Sequence, residues 1–181
     1  KDLYEKLLLY RSHGITRKPE LLVRESDGPW YYEQIDLGYN YRITDIQCAL
    51  GANQMKKLDR YLKRRREIAT RYDEAFADVD NIITPYQSPD GVSGWHLYII
   101  QVKGENRKEV FEFLREKGIG VNVHYIPVYY HPYYREHGYE DIKCPVAEEV
   151  YEHIISLPIF PGLTEENQDY VIEQVKHAVS M

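Results

Sequence analysis

No proline stands between Pro29 and Pro85, and from Thr44 onward that stretch reads as helix. Thr44 is suited to an N-cap because its hydroxyl can accept a first-turn amide, and Gln47 three residues later completes a capping box. Asp45 places a negative charge at the positive end of the helix dipole. Apolar residues then recur at Ile46, Leu50, Leu58, Leu62, Ile68, Tyr72 and Phe76, close to the period of an amphipathic helix. The pattern predicts one long helix over 44–78, with a bend near Gly51. A helix of that length commonly links two domains, so the chain divides into 1–43, 44–78 and 79–181.

On either side the punctuation differs. Residues 1–11 read as a short helix with Leu3, Leu7 and Leu8 on one face. From His13 to Asn40, Gly14, Pro19, Gly28, Pro29 and Gly38 break the pattern, which predicts a long connection with Trp30, Tyr31 and Tyr32 in its middle. Beyond 78 the chain reads as strand (95–102), helix (106–117, stopped by Gly118), strand (119–125) and a loop rich in Tyr, His and Pro (127–139). A helix (145–155), an extended piece (157–161) and a last helix capped by Thr164 complete it. That order predicts a small α+β sandwich.

Composition excludes several classes. The 181 residues carry a net charge of −6, which disfavours nucleic-acid binding because a phosphate backbone requires a basic face. The basic run Lys63-Arg64-Arg65-Arg66 lies among Asp59, Glu67 and Asp73, so it reads as a solvated helix face with i,i+3 and i,i+4 pairs. Cys48 and Cys144 are in no ligand-like spacing and form no disulfide framework, so a reducing cytoplasmic setting is expected. No apolar run reaches the length of a membrane span, so no membrane partner is expected. His124, His131 and His137 are irregularly spaced with no carboxylate or cysteine at ligand spacing, so no metal is expected. The chain opens at Lys1-Asp2-Leu3, with neither initiator Met nor signal peptide, which reads as a start inside a longer protein.

Four features carry possible chemistry. Gly38-Tyr39-Asn40-Tyr41-Arg42 leads into the Thr44 cap, and an amide and a guanidinium before a helix N-terminus suit an anion; the plainer alternative is a turn with a surface arginine. Arg11-Ser12-His13-Gly14 could serve a phosphate or simply close the first helix. Asn122 and His124 share one face of the predicted strand, beside Tyr125. Trp30-Tyr31-Tyr32 could stack on a base or sugar, plug into a neighbouring subunit, or pack in the core.

In order, these motifs resemble the DegT/DnrJ/EryC1/StrS aminotransferases. The resemblance rests on Gly38-Tyr39-Asn40-Tyr41-Arg42, Gln54-Met55-Lys56-Lys57-Leu58-Asp59, Arg11 to Gly14, Arg64-Arg65, Val123 to Pro127 and Ser156-Leu157-Pro158. It covers essentially the whole chain, and Gly28 to Gln34 with Gly38 to Arg42 look most like the pseudaminic-acid branch. That branch aminates a UDP-linked 4-keto-6-deoxy-N-acetylhexosamine with glutamate as amino donor.

The resemblance implies an α/β fold, the C-terminal part of a fold type I pyridoxal-phosphate (PLP) transferase. Residues 1–43 would be a remnant of the large PLP-binding domain, 44–78 the interdomain helix, and 79–181 the small α+β domain. It implies a homodimer with shared active sites, in which Asn40 reaches the cofactor phosphate of the partner and Arg42 also faces the cofactor. Trp30, Tyr31, Tyr39, His124 and Tyr125 become the candidates for binding the nucleotide sugar. The family's covalent lysine and phosphate loop belong upstream, and none of this chain's lysines stands in that motif. These residues alone are therefore expected to be inactive. The alternative from another class is a stand-alone sugar- or protein-binding module.

Overall fold

The computed structural model describes residues 1–104 and 106–181. The chain forms two compact units, Lys1–Lys56 and Lys57–Met181.

In the first unit, helix α1 (Asp2–Arg11) ends when the Gly14 amide turns back to the Leu9 carbonyl, with His13 and Gly14 both at positive φ. The predicted long connection contains a small hairpin-like sheet. Strand β1 (Ile15–Thr16) pairs antiparallel with β2 (Glu33–Gln34), and a 3-10 turn (Pro19–Leu21) lies between them. Helix α2 (Asp45–Met55) follows, opened by the capping box of Thr44 and Gln47. Among the described residues of this unit only Gly14 and Thr16 are buried, and the leucine face predicted for α1 stays exposed at Leu3 and Leu7.

The single long helix predicted over 44–78 is two helices. Helix α3 (Leu58–Phe76) starts after a break at Lys56–Lys57, where Lys57 adopts φ −102°, ψ −8°. The bend is therefore not at Gly51, which sits inside α2. Absence of proline permits a continuous helix but does not enforce one. In α3 the apolar stripe is buried at Ile68, Ala69, Tyr72 and Phe76, whereas α2 buries nothing within its unit.

The second unit is built on a three-stranded antiparallel sheet in the order β3 (Ile82–Ile83), β4 (Tyr98–Val102), β5 (Ile154–Leu157). Along β4, Tyr98, Ile100 and Val102 are buried while Ile99 and Gln101 are half-buried, the period-two alternation of a strand with one core face. The core adds Val110 and Leu114 from α4 (Arg107–Glu116) and Val171, Val175 and Ala178 from α7 (Glu165–Ala178). Three side chains carry buried polar groups back to the framework. Tyr98 Oη donates to Asp73 (2.6 Å), Tyr72 Oη to the Pro158 carbonyl (2.9 Å), and Gln168 Nε2 to the Ile68 carbonyl (2.9 Å).

Three readings from the sequence need correction here. The strand expected from Trp95 begins at Tyr98, because Trp95 has a positive φ. The strand expected at 119–125 is a single bridge, in which Asn122 and Ser156 exchange backbone hydrogen bonds. Ile119 and Val121 are buried, so the apolar alternation was real but reports burial without a ladder. The helix expected to reach Ile155 is α6 (Pro145–His153), after which the β-branched pair Ile154-Ile155 enters β5. The loop between 127 and 139 carries short helical turns, including α5 (Pro132–Tyr134).

The basic run on α3 is also more than a solvated face. Glu67 takes ion pairs from Lys63 and Arg64. Arg64 also reaches the Leu163 carbonyl, Arg66 reaches that of Ser93, and Arg65 Nη1 reaches those of Trp95, His96 and Ile159.

Ile100→Ala should cost ~2–5 kcal/mol in urea unfolding with an unchanged m-value, and Ile99→Ala clearly less, because only Ile100 faces the core. Burial raises the Asp73 carboxyl above its usual range, against a lowering by the Tyr98 hydrogen bond. A folded pKa above the unfolded one contributes stability that is full below the unfolded value and is lost as pH rises through the folded value. Asp73→Asn, which keeps an acceptor for Tyr98, should therefore gain thermal stability relative to the parent above about pH 4, and the gain should vanish in more acid solution.

Candidate functional site

In the first unit the loop from Asp36 to Arg42 crosses the end of α1. The Tyr39 amide donates to the Tyr10 carbonyl (2.7 Å), the His13 amide to the Tyr39 carbonyl (2.8 Å), and the Tyr41 amide to the Arg11 carbonyl (3.0 Å). Gly38 and Gly14 meet at this crossing. A Cβ on Gly38 would run into the backbone of His13 and Gly14, and one on Gly14 into the Asp36 carbonyl. Glycine opens the Gly-x-Asn-x-Arg run because two backbones touch there. Tyr10 Oη donates to Asp36 (2.7 Å), and this bond lowers the Asp36 carboxyl below its ordinary range and raises the Tyr10 phenol.

This crossing presents Asn40 and Arg42. Arg42 Nε donates to Asn40 Oδ1 (3.3 Å), so the Asn40 carboxamide oxygen is occupied and its NH2 is left to donate. Arg42 Nη2 lies 3.5 Å from His13 Nε2. The result is an exposed cluster of donors just ahead of the N-terminus of α2, fit for a phosphate or carboxylate. His13 was read from the sequence, within Arg11 to Gly14, as serving a phosphate or closing the first helix. It does close α1, and it also stands beside Arg42; the Arg-x-His-Gly spacing was the available signal.

Tyr39 stacks on Tyr41 (4.9 Å, 10°) and remains largely exposed. Trp30 and Tyr31 have other partners. Trp30 is 70% exposed, folded back over Gly28, which rules out core packing. Tyr31 Oη donates to Glu33, which also accepts the Val23 and Arg24 amides. The Val23 amide, then Tyr31, lowers the Glu33 carboxyl, and Glu33 raises the Tyr31 phenol. Tyr31 is thus occupied in bracing its own loop. Arg17 lies over the Tyr32 ring at 5.7 Å.

In the second unit His124 and Tyr125 form an edge-to-face pair (4.6 Å, 80°) beside the Asn122–Ser156 bridge. His124 Nδ1 is 2.8 Å from Ser156 Oγ, and Asn122 Nδ2 is 3.3 Å from His124 Nε2. Ser156 was noted from the sequence only within Ser-Leu-Pro; its signal was a polar residue inside the apolar run 154–157. A cavity of about 840 Å³ in the same unit, lined by Arg60, Tyr61, Arg64, Arg65, Pro161 and Gly162, includes neither His124 nor Tyr125. Cys48 and Cys144 are both unpaired and exposed. Among the described residues no helix is long and apolar enough to cross a membrane, and no three His, Cys, Asp or Glu side chains gather as metal ligands.

Comparison with known proteins gives a consistent result. Residues 1–176 match the model of the DegT/DnrJ/EryC1/StrS aminotransferase family. The spore coat polysaccharide biosynthesis protein SpsC of Bacillus subtilis is 40% identical over 185 residues, covering 99% of this chain and 47% of that protein. The UDP-4-amino-4,6-dideoxy-N-acetyl-beta-L-altrosamine transaminase of Campylobacter jejuni is 36% identical over 174 residues, covering 94% and 44%. Among solved structures, Helicobacter pylori PseC, an aminotransferase involved in the biosynthesis of pseudoaminic acid, superposes with a TM-score of 0.86 at 30% identity over 99% of this chain and 47% of its own. The PLP-form of Spr1654 from Streptococcus pneumoniae gives 0.85 at 31%, over 99% and 44%. The chain thus has part of an α/β aminotransferase fold and spans about half the length of the curated relatives it matches.

Gly38→Ala should open the backbone crossing. The expected outcome is faster amide exchange at Tyr39 and Tyr41, whose amides are bonded to α1 carbonyls, with exchange in β4 unchanged. Unaltered protection at both would show that the crossing tolerates a Cβ.

Proposed function

The chain belongs to the DegT/DnrJ/EryC1/StrS aminotransferase family, and from that premise we propose that it is the C-terminal half of a PLP-dependent aminotransferase. Its reaction moves an amino group from glutamate to a nucleotide-linked 4-keto-6-deoxy sugar, of the kind aminated in the pseudaminic-acid branch. The observation that carries this reading is the exposed Asn40–Arg42 pair, in which Arg42 Nε donates to the Asn40 carboxamide oxygen and leaves the Asn40 NH2 free to donate.

That donor set fits the phosphate of PLP. Asn40 Nδ2 would donate to one phosphate oxygen, and the guanidinium of Arg42, held by Asn40 and His13, would neutralise its charge. When bound, PLP supplies the electron sink through which an amino group is exchanged. The covalent lysine is proposed to lie in the other half, so this chain's share is anchoring and orientation. In a cytoplasmic homodimer, Asn40 would reach the site of the second subunit. Within the first unit, Tyr39 and Trp30 would offer the nucleotide sugar flat, exposed aromatic surface of the type that packs on sugar rings; Tyr125, in the second unit, is a separate candidate contact of the same type. Tyr31, committed to Glu33, would brace the loop that carries Trp30.

The test is complementation in trans. The 181-residue chain alone should give no glutamate-dependent amination of a UDP-4-keto-6-deoxy-N-acetylhexosamine by product mass. Adding the separately produced N-terminal half of the Campylobacter jejuni relative should restore it, and Asn40→Ala should reduce the restored rate roughly tenfold or more by loosening the phosphate. Borohydride treatment with PLP should label the added half and leave this chain unlabelled. Stoichiometric labelling of a lysine here would overturn the placement of the covalent lysine. Binding of the nucleotide sugar without any restored amination would favour a binding module.

A further inference from the structure

We propose that Asn122 and Ser156 are positioning residues that fix His124 in one tautomer, and that His124 acts by orienting Tyr125 and not by transferring protons. The hydrogen-bond directions follow from one another. The Val123 amide donates to Asn122 Oδ1 (2.8 Å), which settles which end of that carboxamide is the oxygen. The end facing His124 Nε2 at 3.3 Å is therefore the NH2, which can only donate. His124 Nε2 must then accept, so in the neutral ring the proton sits on Nδ1 and is donated to Ser156 Oγ at 2.8 Å. Ser156 is almost fully buried in β5 and its backbone exchanges two hydrogen bonds with Asn122. One bridge thus carries both groups that grip the imidazole.

With both nitrogens engaged, His124 has none left for a substrate atom. What it offers is its ring, set edge-to-face against Tyr125. Tyr125 is 71% exposed, and among the described residues its hydroxyl has no hydrogen-bond partner. It has the apolar face and polar tip that a sugar ring requires. Resting on the nucleotide-sugar reading above, this assigns Tyr125 as the ligand contact and Asn122, His124 and Ser156 as its support.

The experiment is long-range ¹H–¹⁵N correlation of the ¹⁵N-histidine-labelled chain at about pH 8, where imidazole is neutral. The His124 signals are assigned by their loss in His124→Gln. The parent should show the Nδ1–H pattern. Ser156→Ala should move it towards the Nε2–H pattern and shift the Tyr125 ring resonances, while Ser156→Thr, which keeps the hydroxyl, should preserve both. Asn122→Asp, at an exposed position, gives a second variant that keeps an acceptor for the Val123 amide, replaces the donor to Nε2 and should weaken the Nδ1–H preference. Titration with UDP-N-acetylglucosamine should weaken roughly two- to tenfold in Ser156→Ala and be unchanged in Ser156→Thr. An Nε2–H pattern in the parent, or variants that move neither ring, would overturn the network. A parent with the expected tautomer that ignores the nucleotide sugar would overturn Tyr125 as a sugar contact and the reading it rests on, while the tautomer result stands.

Discussion

One guanidinium nitrogen holds the second unit in register. Arg65 Nη1 lies within hydrogen-bond distance of the carbonyls of Trp95 and His96, ahead of β4, and of Ile159, beyond β5 (2.8, 3.2 and 3.0 Å). β4 and its neighbour β5 are thereby pinned to α3 at the end where one begins and the other has just finished. These carbonyls belong to irregular backbone and have no ladder partner, so a charged donor satisfies groups that would otherwise be costly beside the core. Neighbouring contacts act in the same direction. Tyr72 reaches the Pro158 carbonyl, Arg64 that of Leu163, and Gln168 ties α7 back to α3.

The placement of Ser156 depends on that framework. β5 is paired with β4 through Tyr98–Leu157 and Ile99–Ser156, so pinning the pair fixes Ser156 within the sheet. The bridge from Ser156 to Asn122 then carries the position outward to a loop that has no ladder of its own. A candidate ligand contact on irregular backbone is in this way supported by a strand, the arrangement by which mobile-looking segments hold a side chain to a defined orientation.

What the sequence made legible was what short-range chemistry decides. The Thr44–Gln47 capping box, the Thr164 cap and the stop after α4 are local events between residues a few positions apart, and the structure has them where the pattern predicts. The apolar period of α3 likewise reports which face is buried. The errors lie where tertiary partners decide. The break at Lys56–Lys57 carries no proline or glycine, and nothing in the local spacing separates a buried stripe from an exposed one. The segment from Ile119 to Tyr125 alternates like a strand, yet a ladder needs a neighbouring edge along its length and only Asn122 finds one. Arg65 read as a surface cation because its three acceptors are about thirty and ninety positions away in sequence.

The candidate site was legible as residue types and opaque as roles. Gly38, Asn40 and Arg42 stood out by spacing, but the reason for the glycine, a backbone contact with Gly14, spans a loop that no periodicity describes. The same distance effect separates Tyr31 from Tyr125. Both are tyrosines in polar loops, yet Glu33 claims the hydroxyl of one, while the other is exposed with its ring set against His124 and its hydroxyl unclaimed among the described residues. His124 makes the point most sharply. A histidine near a cleft invites an acid–base role, but proton transfer needs a nitrogen that faces the reacting atom. Here the amide of Val123 orients Asn122, Asn122 occupies one nitrogen, and Ser156 occupies the other. The sequence placed His124 among the candidate sugar contacts, and the direction of three hydrogen bonds supports a ring that holds Tyr125 instead.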